Sequence, residues 1–396
     1  MKTSMHRILT THVGSIPRPA VIQEMLRTRL RGEPVDEAEF DSQVRGAVAQ
    51  VVRQQAEAGI DVVTDGELSK ASFIAYANER LTGCERVEQP PSADARQLTR
   101  REWMAYPEYY AEYLKAQMPA GANVPIECRG PLSYKGQQLV QRDIANLKAA
   151  LAGVEVEEAF VPAIAPGTFA RGANRCYKTD EEFRFAVAEA LKTEYEAIVN
   201  AGFILQIDDP GLAESWDMFV PAISVEEYRK LIAIQVEALN HALRDIPEDR
   251  VRYHICWGSW QGPHTVDIPL KDVVDIMLQV RAQDYSVEAA NPRYAYEWRV
   301  WEDVKLPDGK ILIPGGHRPH HRGGGASGNR GGAHHELRQA RRSGKSHRGC
   351  RLRLRPGRIL CPPAPHDHVG EVPGIGGRSA PGDAASLAEV VVVVRT

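Results

Sequence analysis

The segment YHICWGSW, residues 253–260, places a histidine and a cysteine two positions apart, at His254 and Cys256. Because alternate residues of a β-strand point to the same side, the imidazole and the thiol are expected to lie on the same face of the strand. Such a pair suits a zinc site, and Glu288 in the later segment YSVEAAN is a candidate third ligand. The pair alone is also compatible with an ordinary buried histidine and a small buried cysteine.

Two other segments end an apolar run with carboxylates. LQIDDP ends in Asp208 and Asp209, and DVVTDGE supplies Asp65 and Glu67. Adjacent carboxylates at such positions are typical of sites that bind a cation or an ammonium group. For Asp209 we favour the alternative role of a helix cap.

The segment HVGSIPRP begins at His12, a candidate polar residue at the end of a predicted strand, and places Gly14 and Ser15 in the predicted turn that follows. Backbone N–H groups and a hydroxyl in a turn can hold a carboxylate. A turn without any ligand explains the same residues equally well.

Short apolar runs alternate with helical patterns over the first 315 residues, which predicts an α/β fold with a mainly parallel sheet. Helices are predicted over 180–201 and 225–243, where apolar residues recur every three or four positions. About eight strands favour a (β/α)8 TIM-type barrel, whose active site lies at the carboxyl ends of the strands. The predicted strands are ILTTHVGS, IDVVTDGE, VPIECRGP (a candidate auxiliary strand), EAFVPAIAP, FILQIDDP, VRYHICWGS, YSVEAAN and KILIPG.

The composition is that of a globular protein, with 43% hydrophobic and 26% charged residues in a chain of 396. No apolar run reaches the roughly 20 residues of a membrane span, and no secretory signal opens the chain. The six cysteines lack regular spacing, which favours reduced thiols. We therefore expect a cytoplasmic protein without a membrane partner.

The composition changes abruptly after Gly315. Residues 1–315 carry 35 basic and 47 acidic side chains, whereas residues 316–396 carry 14 and 5. The second part also holds 8 of the 13 histidines and no aromatic residue. We predict a barrel domain over 1–315 and a disordered, low-complexity basic tail over 316–396.

Six motifs together resemble one known family. TTHVGSIPRP, GIDVVTDGE, LQIDDP, HICWGS, SVEAANPR and LPDGKILIPG, in this order, are similar to the catalytic domain of cobalamin-independent methionine synthases, and above all to short single-barrel bacterial members. The resemblance covers residues 1–315 and implies zinc held by His254, Cys256 and Glu288.

The same resemblance implies that Ser15, Glu67 and Asp208 contact homocysteine. The implied reaction moves a methyl group from a methyl-tetrahydrofolate to the homocysteine thiolate, forming methionine. One alternative is a related zinc-dependent alkyltransferase that uses another thiol, or another alkyl donor such as an epoxide. The other alternative is an inactive fragment.

Two motifs of the family are missing beyond Pro314: a histidine that protonates the leaving amine, and a fourth zinc ligand in a DCG motif. Reading residues 316–321 one nucleotide later gives Val-Ile-Asp-His-Thr with allowed codons, and residues 347–355 give a segment with Asp-Cys-Gly. The tail therefore reads as a frameshift product. Loss of the last βα unit predicts an exposed barrel edge.

A natural RNA-binding tail is the rival interpretation, because RGG-type segments bind single strands. The absence of aromatic residues beyond residue 315 argues against it, since such segments stack bases on aromatic side chains. We therefore expect no nucleic-acid partner. Resequencing around the codons for residues 314–317 decides the frame, and an intact frame with incompatible codons would reject the frameshift.

Overall fold

A computed structural model describes most of the chain, namely residues 1–2, 7–72, 74–86, 100–117, 126–258, 262–289, 293–294, 296–317 and 389–393. The strands are β1 (Leu9–Val13), β2 (Val62–Thr64), β3 (Cys84–Arg86), β4 (Ile126–Cys128), β5 (Glu158–Ile164), β6 (Ala173–Asn174), β7 (Ile204–Asp208), β8 (Val251–Ile255), β9 (Asp284–Glu288), β10 (Ile311–His317) and β11 (Glu389–Val393). The helices are α1 (Ala20–Leu30), α2 (Glu37–Ala58), α3 (Ala75–Arg80), α4 (Arg101–Ala105), α5 (Pro107–Gln117), α6 (Gln137–Ala150), α7 (Pro166–Phe169), α8 (Asp180–Asn200), α9 (Gly211–Glu214), α10 (Val225–Ala242), α11 (Val274–Met277) and α12 (Val300–Asp303).

Eight strands form a closed barrel in the order β1-β11-β10-β9-β8-β7-β5-β2. Seven of them run parallel, and helices of the intervening segments pack on the outside. The prediction of an α/β, TIM-type barrel is confirmed, and within the described residues no parallel strand with a following helix takes the eighth position. The eighth position is taken by β11, which is antiparallel to both of its neighbours.

Strand β11 corrects the expectation of an exposed barrel edge. It pairs with β1 from Leu9↔Val393 to Val13↔Glu389, and with β10 at Gly315↔Val391. A run of β-branched valines has high strand propensity and offers a complete ladder of backbone donors and acceptors. The tail also supplies residues 316–317 at the end of β10, whereas residues 318–388, which hold most of the segments used to infer a frameshift, lie outside the described residues. The division at residue 315 stays a prediction.

The long helices begin and end where local sequence signals place them. The two predicted helices correspond to α8 and α10, each within one residue of the predicted end. α10 opens with a capping box, in which Ser224 and Glu227 satisfy each other's backbone N–H groups. α2 starts at the cap Asp36 and stops at Gly59, whose φ of 83° is the left-handed conformation that glycine adopts easily.

A small three-stranded sheet, β3-β4-β6, lies outside the barrel. Its central strand is the predicted segment VPIECRGP, so the interpretation of that segment as auxiliary is confirmed. β3 pairs with it antiparallel and β6 pairs with it parallel. In the chain, β3 follows β2, β4 precedes α6, and β6 follows α7.

The barrel has separate inner and outer cores. The outer core, between strands and helices, is one large cluster that includes Phe40 and Tyr195. A smaller cluster joins Val62, Phe160 and Ile204, and another joins Leu9, Val13, Ile311 and Ile313. Among the described residues, no helix is both long and apolar enough to cross a bilayer.

Barrel closure by β11 gives a testable prediction. Val391 sits opposite Thr11 and Gly315, so Val391→Pro removes a ladder donor between β1 and β10. We expect the free energy of unfolding in urea to fall by about 1–3 kcal/mol. Val391→Thr keeps the donor and a β-branched side chain, and serves as the control. Equal stability of the proline and threonine variants would show that β11 does not close the barrel.

Candidate active site at the barrel mouth

A buried arginine occupies the centre of the barrel below the candidate site. Arg252 on β8 is 1% exposed, and its Nη1 donates to Thr11 Oγ1 at 3.2 Å and to Gln206 Oε1 at 3.1 Å. The guanidinium also lies 4.5 Å from the ring centre of Phe160. Thr11, Gln206 and Arg252 therefore point inward from three different strands, which fixes the direction of every second residue along them.

The next inward-facing residues form the candidate site. Strand pairing sets Asp208 beside His254, and His254 beside Ser286. Each lies two residues beyond an inward-facing side chain, Gln206, Arg252 or Asp284, so period-two alternation directs it into the barrel mouth. Asp208 and His254, which the sequence placed at the ends of successive strands, are thus neighbours.

The turns after β1 and β2 are joined at this mouth. Ser15 Oγ donates to Glu67 Oε1 at 3.2 Å, and Ile16 N donates to Gly66 O at 3.0 Å. Arg18 Nη2 donates to the carbonyl of Glu67 at 2.9 Å. Ser15 and Glu67 are therefore brought together, as the family resemblance requires.

Glu67 is held in an uncommon backbone conformation. Its φ is 56°, and Gly66 before it has a φ of 69°. A left-handed glutamate costs conformational energy that the surrounding contacts must offset, and such residues cluster at functional sites. The Glu67 N–H donates to Asp65 Oδ1 at 2.9 Å, which helps to fix the turn.

Asp208 faces the same space as Glu67. The pKa of Asp208 is raised to about 8, chiefly by loss of water contact and next by the negative charge of Glu67. Gln206 opposes this by donating to Asp208 Oδ1 at 2.8 Å, and the positive charges of Lys70 and Arg252 also lower the pKa. The two carboxylates form an acidic pair that a bound ammonium group would stabilise.

His254 is 6% exposed and oriented by a neighbouring hydroxyl. Its Nδ1 lies 3.1 Å from Ser286 Oγ, so Nε2 is the nitrogen that remains for a ligand. The pKa of His254 is lowered to about 4, chiefly by burial and next by the positive charge of Arg252. The imidazole is therefore neutral at physiological pH, which is the form that binds metals.

Cys256 follows β8, and Glu288 ends β9. Loss of water contact raises the pKa of the Cys256 thiol well above its usual value, and the charge of Glu288 is the next cause, followed by weaker effects of Glu214 and Asp208. The thiol therefore stays protonated unless a cation is nearby. Over the part of the chain that the structure describes, no three histidine, cysteine or acidic side chains meet with metal-binding geometry.

Three other polar residues at strand ends have structural roles. His12 points outward, where its Nδ1 lies 3.2 Å from Gln55 Oε1 on α2. Asp65 bonds within its own turn. Asp209 accepts hydrogen bonds from Thr168 at 2.6 Å and from Tyr253 at 2.7 Å. The N-cap residue of α9 is Pro210, so the prediction of Asp209 as a helix cap is wrong.

Two buried cationic side chains beside the site were not predicted from the sequence. Lys70 is 2% exposed, donates to Pro162 O at 2.6 Å and lies 4.2 Å from the ring centre of Tyr76. Arg252 is the other. Lys70 lies three residues beyond the segment DVVTDGE, and Arg252 lies within the predicted strand VRYHICWGS. A charged residue inside an otherwise apolar strand was the available signal for Arg252.

Comparison with known proteins confirms the resemblance seen in the motifs. Residues 8–96 match the family model described as the catalytic domain of the cobalamin-independent synthases. A methionine synthase of Sulfolobus acidocaldarius is 24% identical over 259 residues, which is 64% of this chain and 63% of that protein. The chain thus aligns with less than two thirds of that relative.

Two further matches extend the comparison. A 5-methyltetrahydropteroyltriglutamate–homocysteine methyltransferase of Thermotoga petrophila is 21% identical, over 72% of this chain and 33% of that protein. Among solved structures, a B12-independent methionine synthase from a Shewanella species, in complex with selenomethionine, is similar with a TM-score of 0.53 and 18% identity. That match covers 77% of this chain and 79% of that one, and it supports the shared barrel fold.

Two buried residues beneath the site, Arg252 and Asp284, yield a prediction about stability. The pKa of Asp284 is raised to about 7, chiefly by burial, and the positive charge of Arg252 opposes this rise. Arg252→Met leaves Asp284 without this cation, so we expect a loss of about 3 kcal/mol in urea unfolding. The double variant Arg252→Met/Asp284→Asn removes the charges of both Arg252 and Asp284, so it should recover part of the lost stability. A double variant less stable than the single one would contradict this coupling.

Proposed function

We propose that this chain, a relative of the cobalamin-independent methionine synthases, transfers a methyl group to the thiol of homocysteine and so forms methionine. The proposed donor is a methyl-tetrahydrofolate, in keeping with the name of the Thermotoga relative. The proposed cofactor is Zn²⁺. We further propose a cytoplasmic location, where the free thiols of chain and substrate stay reduced.

The acidic pair of Glu67 and Asp208 beside Ser15 is the observation that carries the proposal. Two carboxylates held close together with little water favour a ligand that brings an ammonium group. The Ser15 hydroxyl and the turn N–H groups beside it suit the carboxylate of the same ligand. An α-amino acid presents both groups on one carbon, so these three residues would fix its main chain and leave its side chain free to reach His254 and Cys256.

The residues at the ends of β8 and β9 fit a zinc ion chemically. His254 is neutral and oriented by Ser286, and the carboxylate of Glu288 raises the pKa of the nearby Cys256 thiol. The negative charges that keep this thiol protonated would also stabilise a divalent cation bound beside it. His254, Cys256 and Glu288 would hold the ion. Zinc, when bound, lowers the pKa of a coordinated thiol and so supplies a thiolate at neutral pH.

The protein residues have separate tasks in this reaction. Ser15, Glu67 and Asp208 bind and orient the amino acid, which places its thiol near the metal ligands. The closed barrel floor, built on Arg252, keeps water from reaching the site from below. We propose that the fourth zinc ligand and the proton donor for the leaving amine are encoded in the alternative frame beyond residue 315.

A two-chain assay tests the proposed function. The present chain and a frame-corrected chain are each loaded with zinc and supplied with homocysteine and a methyl-tetrahydrofolate. We expect methionine from the corrected chain and at least tenfold less from the present one, because a ligand and a proton donor are missing. Failure of both chains with homocysteine, but alkylation of another thiol or reaction with an epoxide, would favour the related alkyltransferase. Failure with every thiol would reject the proposal.

The acidic pair predicts a binding defect. Glu67→Gln removes one charge that would face the substrate ammonium, and a lost charged hydrogen bond costs about 1.5–3 kcal/mol. We therefore expect homocysteine to bind about 10–150-fold more weakly, measured by calorimetry. Glu57→Gln, an exposed position on α2, is the matched control and should bind normally. Unchanged affinity in the Glu67 variant would place the substrate elsewhere.

The orienting hydroxyl predicts a metal defect. Ser286→Ala removes the partner of His254 Nδ1, and removing such an outer partner typically weakens zinc binding about 10–100-fold. Competition with a chelating dye measures the affinity. Ser133→Ala, outside the barrel, is the control. If the Ser286 variant binds zinc like the unmodified chain, His254 is not a ligand.

A further inference from the structure

A second group of thiols lies outside the proposed active site, on the small sheet β3-β4-β6. Cys84 is half-buried on β3, Cys128 is 1% exposed on β4, and Cys176 is exposed shortly after β6. All three are free thiols. The proposed methyl transfer uses none of them.

The sheet sets Cys84 directly opposite Cys128. Arg129 N donates to Gly83 O at 2.8 Å, so the preceding pair is hydrogen-bonded and the Cys84–Cys128 pair is of the non-hydrogen-bonded type. In such pairs the Cα atoms lie about 4.5 Å apart and the side chains come closest. That spacing falls within the range of about 4.4–6.8 Å that a disulfide needs.

The chain maintains this close approach with glycines. A Cβ on Gly83 would lie 2.4 Å from the carbonyl oxygen of Gly130, a distance that excludes any side chain there. Cys128 Sγ lies 3.4 Å from Gly130 O, and the Cys128 thiol is close enough to Cys84 to contribute to its raised pKa. Both sulfurs therefore already share one small space.

Cys84 can be reached from solvent. It lines a surface cleft of about 280 Å³ together with Arg29, Glu79, Glu85 and Ile126. This volume admits a small molecule. The cleft provides one accessible thiol with a buried partner directly behind it, which is the arrangement of an attacking and a resolving cysteine.

We propose that Cys84 and Cys128 form a redox-active pair that closes to a disulfide when a small-molecule disulfide enters the cleft. The Cys84 thiolate attacks one sulfur of that molecule, and a first small thiol leaves. The Cys128 thiolate then attacks Cys84 Sγ, forming the Cys84–Cys128 bond and releasing the second small thiol. Two electrons pass from the protein to the small disulfide, and the two cysteine protons end on the released thiols.

Burial raises the pKa of Cys84 to about 12, so little thiolate exists at neutral pH. The pair therefore stays reduced under mild conditions and reacts slowly, and mildly alkaline buffer is the appropriate medium for the test. Closure would join the segment after β2 to the segment before α6.

The test treats the reduced full-length chain with glutathione disulfide and maps its cross-links by mass spectrometry of a non-reducing digest. We expect a peptide pair joined through Cys84 and Cys128, two fewer titratable thiols per chain, and full reversal by dithiothreitol. Cys84→Ser should abolish this link, while Cys176→Ser, the control at an exposed thiol, should keep it.

Two results would overturn the proposal. One is a stable mixed disulfide of glutathione on Cys84 without the internal link. The other is a link that joins Cys128 to Cys176 instead. The map of the unmodified chain gives either answer even if the Cys84 variant does not fold, and it does not depend on methyltransferase activity.

Discussion

One buried guanidinium determines how the barrel is built. Because Arg252 must find partners away from water, Thr11 and Gln206 have to point inward from the strands on which they lie. Period-two alternation then directs the next residues on two of these strands, Asp208 and His254, into the barrel mouth. The charged floor thus fixes the site above it, and a one-residue shift of β8 would bury Tyr253 in the barrel and turn His254 outward.

Much of this arrangement could be predicted from sequence, for physical reasons. Apolar runs buried on both faces identify the parallel strands, and polar residues at their ends identify one edge of the barrel. The orientation of each side chain was harder to predict, because a strand end alone does not reveal which residues face inward. His12 therefore entered the candidate set although it contacts Gln55 on a helix. The buried Lys70 was missed because turn sequences normally place lysine in solvent.

The C-terminal part shows how weakly composition constrains a strand. The region after residue 315 has the composition of a solvated tail, yet Glu389–Val393 pairs with β1 and β10 and closes the barrel. Backbone hydrogen bonding explains this, since any β-branched run can satisfy two open edges. An antiparallel strand closes the ladder, but it does not bring the loop that follows a parallel strand to the catalytic rim.

The proposed methyl transfer requires that one amino acid contacts both the acidic pair and the proposed metal ligands. Zinc-edge X-ray absorption of the zinc-loaded chain, with and without homocysteine, tests this directly. We expect homocysteine to add one sulfur neighbour at about 2.3 Å from zinc, and we expect this added sulfur to be lost in the Asp208→Asn variant. A zinc environment that homocysteine leaves unchanged would contradict the central claim.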